Sequence, residues 1–207
     1  LGTVLAHGAT TAIPHLERVL ALDPNDVDAL SWLGQLRAHQ GRIAEATALG
    51  ERAVAIDPMS WLGHTTLAIS SWLDGRFAEG LRFLGRAAEV DPTQSLLTED
   101  FKVLVLICAG KREEAVALGG RLGTDAPRSV FDRLAQFWRH AAVGERESAL
   151  KWMTPEALEA CRWSLQKSWW VACGYVMLGD TETALDGLEN AVQRGFLNHR
   201  YFGEIDP

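Results

Sequence analysis

Apolar residues along this chain do not follow the strict polar–apolar alternation of a half-buried strand, and the strong helix formers Ala, Leu, Glu and Arg dominate. The chain reads as nearly all helix, with turns marked by glycine and by Asp-Pro. A long-period rhythm overlies that pattern. Gly41, Gly75, Gly110, Gly144 and Gly179 fall 34, 35, 34 and 35 residues apart. Five residues after each stands a small side chain: Ala46, Gly80, Ala115, Ala149 or Ala184. Twelve residues after three of the glycines comes an alanine, at Ala53, Ala87 and Ala191. Prolines close the units at Pro24, Pro58, Pro92 and Pro127. Such a fixed period is the mark of a repeat architecture.

Each landmark has a physical role. The glycine suits the position just past a helix, where a left-handed residue ends it without a Cβ clash. The next five residues, as in GRIAEA or GDTETA, turn the chain and start a second, antiparallel helix. Small residues seven apart lie on one face, two turns from each other, so neighbouring helices can approach closely. Proline stops the second helix, and the Asp before it favours a turn. The Asn, Asp, Ser or Thr beyond can cap the next helix.

This pattern resembles the tetratricopeptide repeat, a helix-turn-helix unit of about 34 residues. The clearest copy is 27–60, with Leu33-Gly34, Gly41, Ala46, Ala53 and Asp57-Pro58. The copy 61–94 has Leu67-Ala68, Gly75, Gly80, Ala87 and Asp91-Pro92, and 165–196 has Val171-Ala172, Tyr175, Gly179, Ala184 and Ala191. Residues 1–26 supply a partial copy, cut within its first helix. Two copies are degenerate. In 95–129 one residue is inserted, and in 130–163 Thr154-Pro155-Glu156 breaks the second helix and starts another near 155. The resemblance implies one all-α domain over 1–207, a right-handed superhelical solenoid of helical hairpins followed by a tail, 197–207.

Charge and composition narrow the function. The net charge is −7 and the basic residues are dispersed, which disfavours a phosphate-backbone partner such as nucleic acid. Three cysteines, Cys108, Cys161 and Cys173, form no CxxC and suit reduced thiols, as in the cytoplasm. No apolar run is long enough to span a bilayer, and no signal peptide is seen. Leu1 is expected to be a cut site rather than a native start.

Candidate chemistry is absent. The six histidines make no HExxH or zinc-like spacing, and neither a GxSxG elbow nor a GxxxxGK[ST] loop occurs. No catalytic, metal or cofactor site is expected, and the chain reads as a non-catalytic scaffold for a protein or peptide.

The eight tryptophans raise a choice between packing and recognition. The resemblance implies that the first helix of each unit lines a concave face. Counted back from the turn glycine, the inward positions are Asp28, Ser31, Trp32, Gln35, Ala38 and His39 in one copy. They are Leu62, Thr65, Thr66, Ile69, Trp72 and Leu73 in the next, and Gln166, Trp169, Trp170, Cys173, Val176 and Met177 in the last. Asp100 and Trp138 are candidates in the degenerate copies. Those assigned positions carry no Lys, Arg or Asn, the residue types with which tetratricopeptide domains clamp acidic chaperone tails. The expected binding set is Trp32, Gln35, His39, Thr65, Thr66, Ile69, Trp72, Trp169, Trp170, Cys173 and Met177. Such a face suits an apolar segment or an amphipathic helix. The alternatives are a homodimer surface, a groove filled by the chain's own segments, or a region regulating a catalytic domain elsewhere in its chain.

The ending RGFLNHRYFGEIDP departs from the rhythm. Earlier prolines stand 17 residues after their glycines, which from Gly179 gives Phe196, so Gly195 acts as the stop and Asp206-Pro207 lies outside the repeat. Gly195, Phe196, Asn198, Tyr201, Phe202 and Asp206-Pro207 resemble the close of tetratricopeptide regions in large bacterial signalling proteins. Serine/threonine kinases, nucleotide cyclases and winged-helix regulators carry such regions. His199 stands where an aromatic is usual.

Overall fold

The computed structural model describes residues 9–122 and 129–198. Pro127, Tyr201, Phe202, Asp206-Pro207 and residues 1–8 of the partial copy lie outside them. Among the described residues the regular structure is α-helix with one short 3-10 turn, Pro92–Gln94, and no strand is present. The chain divides into two compact units, one formed by Ala9–Thr98 with the segment from Gly195, the other by Glu99–Arg194.

The first unit holds α1 (Ala9–Leu22), α2 (Val27–His39), α3 (Ile43–Ile56), α4 (Trp61–Leu73), α5 (Phe77–Val90) and the start of α6 (Ser95–Cys108). Two of them, α2 and α4, begin where side-chain acceptors meet orphan amides. The Asp26 carboxylate accepts from the Ala29 N–H at 2.7 Å, and the Ser60 hydroxyl accepts from Gly63 at 3.0 Å. The aspartates of Asp-Pro serve the turns between hairpins. Asp23, Asp57 and Asp91 each accept from the backbone N–H two residues on, at 2.9–3.0 Å, across the proline that cannot donate.

The turn inside each hairpin rests on glycine. Gly41 and Gly75 adopt φ of 76° and 77°, as Gly110, Gly144 and Gly179 do in the second unit, where a Cβ would be strained. Ala46, Ala53 and Ala87 are fully buried where the helices pack, α2 on α3, α4 on α5, and α4 on both α2 and α3. At Gly80 an added Cβ would come within 3.2 Å of the Ala68 carbonyl oxygen, a tight contact where α4 and α5 approach closely.

His39, the last residue of α2, is fully buried. Its Nδ1 lies 2.6 Å from the Gln35 carbonyl oxygen; that oxygen only accepts, so Nδ1 carries the proton. Burial holds its pKa down at about 4, against the partial support of that hydrogen bond.

The second unit holds the rest of α6, then α7 (Arg112–Leu122), α8 (Val130–Ala142), α9 (Arg146–Leu150), α10 (Pro155–Arg162), α11 (Leu165–Met177) and α12 (Thr181–Gln193). A reciprocal cap starts α8. Phe131 and Asp132 donate to the Ser129 hydroxyl at 3.2 and 3.3 Å, and the Asp132 carboxylate accepts from the Ser129 N–H at 2.9 Å. Thr154 caps α10 through the Ala157 N–H at 3.3 Å, with Pro155 in the first turn. The outer helix of this degenerate copy is thus split into α9 and α10, and α10 packs on α11 and α8.

Aromatic rings fill this unit. Trp170 stacks on Phe101 at 5.1 Å and meets Trp138 edge-on at 6.1 Å and Phe131 at 6.2 Å. The Trp138 Nε1–H donates to the Trp170 carbonyl at 2.9 Å, which satisfies a buried polar group within the core. The Phe137 ring lies against the Gly174 backbone, where an added Cβ would sit 2.0 Å from Cε1.

Two glycines inside helices therefore respond oppositely to the same substitution. Gly174→Ala, which drives a methyl into the Phe137 ring, is expected to destabilise the protein by about 2 kcal/mol. Gly85→Ala, at a helical site with nothing within 4 Å of the new Cβ, is expected to stabilise by about 0.5–1 kcal/mol. Urea denaturation followed by circular dichroism reads both.

His39 gives a pH dependence. The unfolded chain takes up the imidazole proton near the ordinary histidine value of 6.5, and the folded chain resists it down to about 4. Between those values the unfolded state binds more protons, so the contribution is fully present above 6.5 and is lost as pH falls towards 4. The total is about 3 kcal/mol. Urea midpoints taken from pH 7 to pH 4 should fall more steeply for the unaltered protein than for His39→Gln.

Candidate functional site

The inward-counted residues lie on α2 and α4 in the first unit and on α11 in the second. In α2 every residue except Val27, Asp28 and Trp32 is buried, and in α4 every residue except Trp61 and Thr65. Among the expected binding residues of this unit, Gln35, His39, Thr66, Ile69 and Trp72 are therefore enclosed, and Trp32 and Thr65 are half-buried.

The enclosed polar groups bond to neighbouring helices. The Thr66 hydroxyl donates to the Ser31 carbonyl at 3.0 Å and accepts from the Gln35 amide at 3.4 Å, linking α2 to α4. Thr65 turns its hydroxyl to the Trp61 carbonyl at 2.8 Å, which leaves its methyl for contact. Trp72 has no exposed surface at all. A partner could reach its ring only after rearrangement of the unit, whereas Trp32 offers part of its ring directly.

In the second unit Trp169 is fully buried, and Trp170 is nearly so within the aromatic cluster that includes the candidate Trp138. Asp100 is buried as well. Cys173 and Met177 are half-buried, beside the exposed Val176. Burial raises the Cys173 thiol well above its ordinary value, and neighbouring Cys108 adds to the shift. Burial likewise pushes Cys161 up to about 11. Both thiols stay protonated at neutral pH and are poor nucleophiles. No disulfide joins them. Among the described residues no group of three or more His, Cys, Asp or Glu side chains is placed to hold a metal ion, and no helix is long and apolar enough to cross a membrane.

A crevice of about 370 Å³ opens between α10, α11 and α12. Leu158, Cys161, Val171 and Tyr175 form its apolar wall. At its polar side the Asn190 amide donates to the Ser168 hydroxyl at 2.6 Å and to the Arg162 carbonyl at 3.0 Å, so these groups are engaged within the protein.

One arrangement was not legible in the repeat pattern. Residues 196–198, beyond the last helix, seat on the C-terminal ends of α2 and α4. The Leu197 N–H donates to the His39 carbonyl at 2.9 Å, and the Asn198 side-chain amide donates to the Leu73 carbonyl at 3.4 Å. Phe196, with no exposed surface, meets the His39 ring edge-on at 5.9 Å. Asn198 rests on the bare face of Gly41, where a Cβ would lie 3.4 Å from its Cα. Helix ends leave carbonyls without partners, and this segment supplies donors to two of them.

The comparisons with known proteins accord with this geometry. Residues 7–60 match the family model described as tetratricopeptide repeat. No curated protein matches the sequence. Among solved structures, a thermophilic tetratricopeptide-repeat protein of Thermus thermophilus is similar at a TM-score of 0.53 and 21% identity, over 94% of this chain and 89% of that one. A tetratricopeptide repeat protein from Parabacteroides merdae is similar at 0.52 and 15% identity, over 90% and 73%. Residues 7–60 thus match the tetratricopeptide repeat, and the chain has the all-α solenoid fold of tetratricopeptide-repeat proteins.

Proposed function

We propose that the chain is a non-catalytic scaffold that binds an apolar protein segment or an amphipathic helix. The observation that carries this reading is the partial exposure of Trp32 and Thr65, the two expected binding residues on α2 and α4 that packing does not enclose. A half-buried indole has the size and rigidity of a hot-spot anchor, and the Thr66 hydrogen bonds tie its helix, α2, to α4. Cys173 and Met177 on α11 offer a second, sulfur-rich contact surface of their own. Tetratricopeptide folds are built for such contacts, since repeats expose long faces of side chains on rigid helices.

The finer placement, in the partner-recruiting or sensory region of a larger bacterial signalling protein, is supported by the Gly195-Phe196 and Asn198 close of the last repeat. Cytoplasmic residence is supported by the three unbridged thiols. A kinase, cyclase or winged-helix domain encoded on the same polypeptide is the finding that agrees with this placement.

Trp32→Ala is expected to weaken partner capture by about 2 kcal/mol, roughly thirtyfold, with helicity unchanged. Trp72→Ala and Trp169→Ala are instead expected to lower stability by about 3–5 kcal/mol. Affinity capture with the unaltered and Trp32→Ala proteins, quantified for the same recovered partner, checks the first figure, and thermal denaturation checks the second. Equal recovery by both proteins removes Trp32 from the binding face. Light scattering separates the outcomes further, because a mass that rises with concentration assigns the face to a second copy.

A further inference from the structure

The segment Phe196-Leu197-Asn198 has no regular secondary structure, yet it is anchored at three points on the first unit. Its ring contacts His39, its backbone amide reaches the end of α2, and its asparagine reaches the end of α4. These contacts read two features of a peptide and ignore the third. Phe196 and Asn198 have almost no exposed surface, whereas the Leu197 side chain is 55% exposed. The receiving surface consists of helix-end carbonyls, the bare Gly41 backbone and one neutral imidazole. None of it depends chemically on the incoming strand belonging to the same chain.

We propose that the ends of α2 and α4 form a peptide site specific for an aromatic residue two positions before an asparagine, and that residues 196–198 are its resident intramolecular ligand. This deepens the protein-binding reading and rests on it. A partner segment of the same aromatic-any-Asn chemistry occupies the site in exchange for the resident strand. Specificity follows from the geometry: the Asn198 side-chain amide offers a donor to the Leu73 carbonyl, and a carboxylate there would meet the negative end of α4. The resident strand, being tethered, competes at an effective concentration on the order of millimolar. The site therefore answers to partners that are abundant or that make further contacts beyond these residues.

The test uses an amidated, fluorescein-labelled peptide of residues 192–198, VQRGFLN, and the full chain. Asn198→Asp and the double variant Phe196→Ala/Asn198→Ala open the site, and circular dichroism checks that each is folded. Fluorescence polarisation is expected to give at least about tenfold tighter binding to the opened variants than to the unaltered chain, and peptides VQRGALN and VQRGFLA are expected to lose that binding. If the folded opened variants bind VQRGFLN no better than the unaltered chain does, the segment is a fixed cap and the proposal falls. Hydrogen exchange in the unaltered chain gives a reading free of any variant. About 5 mM peptide should at least double the exchange rate of the Leu197 amide, and an unchanged rate overturns displacement. Failure here leaves the Trp32 face standing, because that face is read by its own variant and a different partner contact.

Discussion

The inner helices are buried around most of their circumference, and the rest of the architecture follows from that constraint. α4 leaves only Trp61 and Thr65 short of burial, and α2 only Val27, Asp28 and Trp32. A helix so nearly enclosed must be walled on several sides at once. One wall is the preceding hairpin, which contributes both α2 and α3 to α4, and another is the outer helix α5 of its own hairpin. Three helices can crowd one only if their contact faces are small. That is why fully buried alanines and Gly80 recur at the fifth and twelfth places after the turn glycine.

The same enclosure explains how the polar and aromatic residues of the inner helices are used. A hydroxyl or amide inside such a helix must be satisfied by its neighbours, and Thr66, Ser31 and Gln35 form a chain of hydrogen bonds between repeats. Tryptophans divide by the same rule. Trp72, Trp138 and Trp169 are swallowed, whereas Trp32, on the open side of α2, is not. Recognition chemistry is therefore confined to the few positions that packing leaves unclaimed.

Much of the fold was legible because its determinants are local. The glycine turns, the Asp-Pro turns and the Thr154-Pro155 helix start each involve residues a few positions apart, and the local hydrogen bonds that sequence chemistry implies are the ones formed. Facing directions within α2 and α4 were harder to read. When nearly every position of a helix is apolar or small, counting from a turn identifies a side of the helix but not whether another helix covers it. Exposure of Trp32 against burial of Trp72, 40 positions later, is decided by neighbours far away in sequence. The seat of Phe196 and Asn198 was beyond reach for the same reason, since no periodicity connects this segment to the end of a helix 125 residues earlier.

That seat has a temporal side. Asn198 meets the Leu73 carbonyl across 125 residues of sequence. During synthesis at ~5–20 residues per second, α2 and α4 emerge on the order of ten seconds before the strand that covers their ends. Neither the local turns nor the alanine contacts need that strand, so the early hairpins can assemble with two helix-end carbonyls and the Gly41 surface still facing water. The unit is thus finished late, its early hairpins sealed by a strand made 125 residues after the end of α4.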